Sequence, residues 1–137
     1  MGPLRSTLFT LVLAASAALL PAAAGAATVA PFTDAAFTAA EAQGRPILVD
    51  IFATWCPVCA AQKPIIEHLT QAPVFHDLLI LRVDFDTQKA VVRAMGARMQ
   101  STLIAFHGKT LEGVSVGDTD PASIAALLAK THPRTGR

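Results

Sequence analysis

Cys56 and Cys59 are the only cysteines of the chain, and they stand in Trp55-Cys56-Pro57-Val58-Cys59, directly after the apolar run Ile47-Leu48-Val49-Asp50-Ile51-Phe52. A strand that ends in Cys-x-x-Cys and passes into a helix places one thiol at the helix N-terminus, where unpaired N–H groups and the helix dipole favour a thiolate. That arrangement points to redox chemistry. A structural staple is a weak use of the pair, because a bridge closing so short a loop removes only roughly 2 kcal/mol of unfolded-state entropy. Half of a zinc site is another reading. A structural zinc usually takes four ligands at set spacings, however, and no second cysteine pair exists here, while His68, His76, His107 and His132 are scattered. Covalent haem is excluded because residue 60 is Ala rather than His. The expectation is a redox dithiol, Cys56 with Cys59, and neither a metal nor a cofactor.

The N-terminus bears on where such a dithiol works. Arg5 is the only charge before an apolar stretch from Leu8 to Leu20, which is followed by Pro21 and the small-residue run Ala22-Ala23-Ala24-Gly25-Ala26-Ala27. Basic, apolar and cleavage regions in that order read as a secretory signal peptide over residues 1–26, leaving 27–137 as one domain. Cuts after Ala24 or Ala27 fit the small-residue pattern as well. An uncleaved anchor is the alternative, but the run before Pro21 is shorter than the roughly 20 apolar residues that span a bilayer. The expected location is the periplasm, or the extracytoplasmic space generally, where thiol pairs can be oxidised. Of the 11 Lys+Arg only Arg5 lies in the leader, so the domain is balanced against its 10 Asp+Glu. It has no basic footprint for nucleic acid or anionic lipid.

From Pro31 onward the pattern alternates. Thr33 or Asp34 can cap a short helix through Phe37 and Glu41 that stops at Gly44, and Pro46 introduces a buried strand, Ile47 to Ala53. Pro57 suits a first helical turn, and the helix continues through Ala60, Ile65, Ile66 and Leu69, with Pro64 expected to kink it. Leu78 to Val83 reads as a second strand, Thr87 to Met95 as a helix closed by Gly96, Thr102 to Phe106 as a third strand, and Leu111 to Val116 as a fourth after a turn at His107-Gly108. Asp120 caps a last helix with Pro121 at its first position and Ile124, Leu127 and Leu128 at core spacing. Strands alternating with helices, then a hairpin and a helix, imply an α/β sandwich around a mixed sheet.

These residues resemble the thioredoxin-fold family over essentially the whole domain. Val49-Asp50-Ile51-Phe52-Ala53-Thr54-Trp55-Cys56 is similar to the strand and tryptophan that enter the family's active site. Pro64 falls where the active-site helix is kinked, Arg82-Val83-Asp84-Phe85-Asp86 is similar to the central strand end, and Gly117 matches a glycine beside the site. The resemblance implies a three-layer α/β/α sandwich with about four to five strands. It also implies that Gln100-Ser101-Thr102 is the substrate loop, with Ser101 standing where relatives carry a cis proline. A non-proline cis bond costs about 3 to 4 kcal/mol, so the Gln100–Ser101 peptide is expected to be trans. Ser101 could present its hydroxyl to the Cys56 sulfur or simply fill space. Restoring the proline is expected to change function before it changes stability.

The expected chemistry is reduction of protein disulfides through a mixed disulfide. Cys56, at an exposed helix start, attacks, and Cys59, one turn in and more buried, resolves. Asp50 matches the buried acid that serves the inner cysteine in thioredoxins; its alternative is a strand end facing water. Arg82 pairs with this acid or is a solvated charge. Trp55, Pro57 and Val58 wall the site together with Phe52. Val58 brings no charge or donor between the cysteines, which favours a reductase, acting as a monomer and fed by a membrane electron donor. The competing class is a metal-binding or chaperone protein on the same fold.

Overall fold

The computed structural model describes Gly2 and residues 25–132, so the expected signal peptide lies almost wholly outside the described residues. The elements in chain order are β1 (Thr28–Pro31), α1 (Asp34–Ala42), β2 (Pro46–Phe52), α2 (Pro57–Leu69), a 3-10 turn (Pro73–Phe75), β3 (Leu79–Asp84), α3 (Lys89–Ala94), β4 (Thr102–His107), β5 (Thr110–Val116) and α4 (Pro121–Ala129). The sheet order is β1-β3-β2-β4-β5. β1, β3 and β2 run parallel, and β4 and β5 are antiparallel to their neighbours. The fold is a thioredoxin-type α/β sandwich.

Alternation along β2 explains the layering, because successive side chains of a strand point to opposite faces. Ile47, Val49 and Ile51 enter a core closed by Ala36, Phe37 and Ala40 of α1 and Val91 and Val92 of α3. Leu48 enters the opposite core, closed by Ile65, Ile66 and Leu69 of α2 and Ile124, Leu127 and Leu128 of α4. A strand covered on both faces reads as an unbroken apolar run, which is why this one was conspicuous. Asp50 follows Leu48 on the α2 face.

Local chemistry sets most of the element ends. The Thr33 hydroxyl accepts the Ala36 N–H at 3.1 Å, and the Asp120 carboxylate accepts the Ser123 N–H at 2.8 Å. The expected helix from Thr87 shrinks to Lys89–Ala94, because the N–H groups of Asp86 and Thr87 are taken by Asp84 Oδ1 in a turn, at 2.8 and 3.0 Å. β1 was not foreseen. It is a four-residue edge strand, and Pro31 is tolerated at its end because an edge position need not donate to a ladder.

The β4–β5 turn depends on Gly108, whose φ is +54° and whose missing Cβ would lie 3.1 Å from the Gly44 Cα. Gly44 also has positive φ, +66°, but faces open space. Gly108→Ala should therefore cost more stability than Gly44→Ala, which incurs only the left-handed penalty of about 1–2 kcal/mol. Urea unfolding of both variants checks this, and equal midpoints would refute the close-packing argument.

Candidate active site

Cys56 and Cys59 are joined in a disulfide with Cα atoms 5.3 Å apart. Cys56 is the N-cap of α2, and its Sγ accepts the Cys59 N–H at 3.1 Å, while Pro57 occupies the first helical turn with no N–H to satisfy. Neither cysteine is open to solvent: Cys56 is 3 % exposed and Cys59 7 %. The expectation of an exposed Cys56 with Cys59 the more buried of the two is thus corrected. Its sulfur folds back over the first helical turn, and Ala53, Phe52, Val58 and Phe85 pack around the pair. Exposure belongs instead to Trp55, at 58 %, and to Pro57 beside it. The Trp55 indole is anchored by its Nε1–H, which donates to Asp86 Oδ2 at 2.7 Å.

Asp50 lies under α2. It lines a cleft of about 80 Å³ with Lys63, Ile66, Glu67 and Thr70 of that helix and with Arg82 of β3. Its side chain is 13 % exposed, so it does not face water at a strand end. Burial raises the carboxyl's pKa above its ordinary value, outweighing the opposing pull of the Arg82 charge and hydrogen bond. Arg82 is correspondingly not a free surface charge: its Nε donates to Asp50 Oδ2 at 3.0 Å, and its guanidinium stacks 3.7 Å from the centre of the Phe52 ring. Cation–π contact and ion pairing hold the same side chain from two directions.

Sheet register brings the remaining loop to this end. Ile51 of β2 faces Thr102 of β4, and Thr102 faces Val116 of β5. The Ser101 loop and Gly117 therefore flank the strand that delivers the cysteines. The Gln100–Ser101 peptide is trans, and Ser101 adopts φ +57°, a left-handed conformation unusual for a residue with a Cβ. Its hydroxyl donates to the Gln100 carbonyl at 2.6 Å, so it is not presented to the Cys56 sulfur. Thr102 Oγ1 donates to the Met99 carbonyl at 2.8 Å, and the Ser101 carbonyl accepts the Gly117 N–H at 2.9 Å. Gln62, which the sequence reading passed over, is buried on α2 between these segments. The available signal was its place on the inward stripe Cys59, Gln62, Ile66.

What such a site can do is trade one disulfide for another, which makes the class of protein a thiol–disulfide oxidoreductase. Residues 28–130 match the thioredoxin family model, and the chain belongs to the thioredoxin family. It is 35 % identical over 103 residues to a thioredoxin of Mycobacterium tuberculosis, covering 74 % of this chain and 87 % of that one. It is also 32 % identical over 90 residues to the protein disulfide-isomerase erp38 of Neurospora crassa, covering 64 % of this chain and 24 % of that one. Among solved structures, Trxlp from Edwardsiella tarda superimposes with a TM-score of 0.72 at 42 % identity, covering 74 % of this chain and 98 % of the other.

Two outcomes follow from the geometry. Proline is locked near φ −65° and cannot adopt the +57° of Ser101, so Ser101→Pro must rebuild the loop and should lower stability by more than 1 kcal/mol, in the usual range for an incompatible proline at about 1–3 kcal/mol. With this φ, fold is expected to move together with function, against the expectation that function moves first. Ser101→Gly, by contrast, removes the left-handed penalty and should be neutral or stabilising in urea titrations of the oxidised protein. The second outcome concerns Asp50. Because its folded pKa is raised, the folded state holds the proton more tightly, so stability falls as pH rises from the unfolded carboxyl pKa through the folded one. Asp50→Asn should raise the urea midpoint at neutral pH, and that gain should vanish below the unfolded carboxyl pKa of about 3.9. An unchanged midpoint at neutral pH would show that ionising Asp50 costs the fold nothing.

Proposed function

We propose that the chain reduces protein disulfides in the extracytoplasmic space through a mixed-disulfide intermediate. The observation that carries this reading is the Cys59 N–H donated to Cys56 Sγ at 3.1 Å across the first turn of α2. In the dithiol form the same donor and helix dipole favour a thiolate at Cys56. That thiolate attacks one sulfur of a substrate disulfide; the other leaves as a thiolate and takes a proton from solvent. Cys59 then gives up its thiol proton and attacks Cys56 Sγ, and the second substrate sulfur leaves. Two electrons have passed to the substrate, and the Cys56–Cys59 disulfide is the product state. A membrane electron donor returns them.

Asp50 takes the Cys59 proton. A carboxyl whose pKa is raised by burial is a better base than an ordinary aspartate, and the cleft it lines gives the proton an exit. Val58 places neither charge nor donor between the cysteines, which favours the reducing direction. Trp55, Met99 and Val116, exposed by 58, 47 and 52 %, give this end an apolar collar suited to a polypeptide. β1 starts at Thr28, directly after the expected cleavage following Ala26, so removing the leader leaves every strand whole.

Cys59→Ser should accumulate mixed disulfides with protein substrates in the periplasmic fraction, on a chain lacking the leader, while Cys56→Ser accumulates none. Asp50→Asn should slow resolution of the mixed disulfide by about a hundredfold, the lower end for a positioned general base. Non-reducing gels and rapid-quench alkylation read both. Trapping through Cys59 instead of Cys56, or an unprocessed chain confined to the cytoplasm, would refute the corresponding part.

A further inference from the structure

Gln62 is 1 % exposed, on the face of α2 that also carries Cys59 and Ile66. Its carboxamide nitrogen donates to carbonyl oxygens of two separate loops, at 2.8 Å to Asp118 and, in a longer contact, at 3.4 Å to Ser101. Its Oε1 is buried with no hydrogen-bond partner. A leucine would occupy similar volume without stranding an acceptor in the interior, but it could not donate. The amide matters for its N–H groups, and both reach the segments that flank the dithiol.

Taking the exchange reaction proposed above as the activity, we propose that Gln62 is a positioning residue for it: the side chain through which the dithiol helix holds the Ser101 and Gly117–Asp118 loops where a protein substrate must dock. Ser101 sits at φ +57° and needs support from outside its own loop. Its carbonyl accepts from Gly117 as well as from Gln62, which joins the two loops. Asp118 is a firm anchor, because its carboxylate accepts the Asp120 N–H at 2.9 Å and the hydroxyls of Ser123 and Ser115 at the start of α4 and the end of β5. A continuous chain of hydrogen bonds thus runs from α4 through Asp118 to Gln62, and so to the helix turn that follows Cys59. A disulfide carried on a folded or extended polypeptide must meet those loops. A small disulfide reaches the sulfur without them.

The test compares kcat/KM for insulin disulfides and for hydroxyethyl disulfide in wild type, Gln62→Leu and Gln62→Glu. Gln62→Leu should lose about tenfold on insulin, mainly through KM, and no more than about twofold on hydroxyethyl disulfide, the difference matching one ordinary net hydrogen bond. Gln62→Glu should show the same selective loss at about pH 8 and recover its insulin preference towards about pH 5, where a carboxyl whose pKa burial has raised takes up its proton and regains one donor for the Asp118 carbonyl. Parallel losses on both substrates, or a changed thermal midpoint with an unchanged substrate ratio, overturn the proposal. If Gln62→Leu does not fold, the pH dependence of the Gln62→Glu ratio decides, and a flat ratio overturns it. Wild-type protein inactive on both disulfides would refute the exchange reaction itself, whereas an active wild type whose ratio the variants share refutes only the role of Gln62.

Discussion

The active end of this protein is organised by how the first turn of α2 satisfies its backbone. An α-helix leaves its first four N–H groups without internal partners. Pro57 has none to offer, and the Cys59 N–H finds the Cys56 sulfur at 3.1 Å. The atom that caps the helix is therefore the atom proposed to act as nucleophile, and one geometric solution serves stability and chemistry together. β2 must then end where it does, so that Cys56 arrives as the N-cap; the Cys56 N–H bonded to the Ala53 carbonyl at 3.2 Å fixes that handover. The N-cap side chain folds back over the helix instead of pointing away from it, and Phe52 and Phe85 then close over the pair.

This coupling explains which parts were legible before the structure. Strands β2 to β5 and helices α1, α2 and α4 announce themselves through apolar runs, caps and prolines, since those signals are local. Thr28–Pro31 gave none, being short, largely exposed and adjacent to an alanine-rich stretch, and its identity as a strand comes from pairing with β3. The burial of Cys56 was equally hidden, because it depends on Phe52 and Phe85 arriving from two strand ends. Gln62 shows the limit most sharply. A single glutamine on an amphipathic helix reads as surface; its place in line with Cys59 and Ile66 is a weak local signal, and the partners it turns inward to meet, the carbonyls of Ser101 and Asp118, are distant in the chain.

Ser101 carries the opposite lesson. A family rule correctly marked the position as unusual, but the rule concerns a peptide isomer, whereas the structure places the peculiarity in φ. A left-handed residue with a Cβ costs about 1–2 kcal/mol and persists where its surroundings over-determine it. Here the surroundings are specific: Gly117 and Gln62 hold the Ser101 carbonyl, and Thr102 ties back to Met99. The loop is held by hydrogen bonds rather than by a ring, so its geometry depends on side chains outside it.

The Asp50–Arg82 pair shows how the fold sets a proton next to that frame. Desolvation disfavours the carboxylate, while the guanidinium at 3.0 Å favours it, and burial is the larger effect. Arginine stays charged throughout the accessible pH range, so it opposes protonation of its partner without ever exchanging a proton with it. Stacked on Phe52 and 28 % exposed, Arg82 keeps part of its hydration and pulls on Asp50 less than a fully buried cation would. Within the pair, only Asp50 can change its charge. A carboxyl placed this way gains its affinity for the proton from burial and is kept from holding it too tightly by a fixed cation, the balance that the proposed role of Asp50 as base relies on.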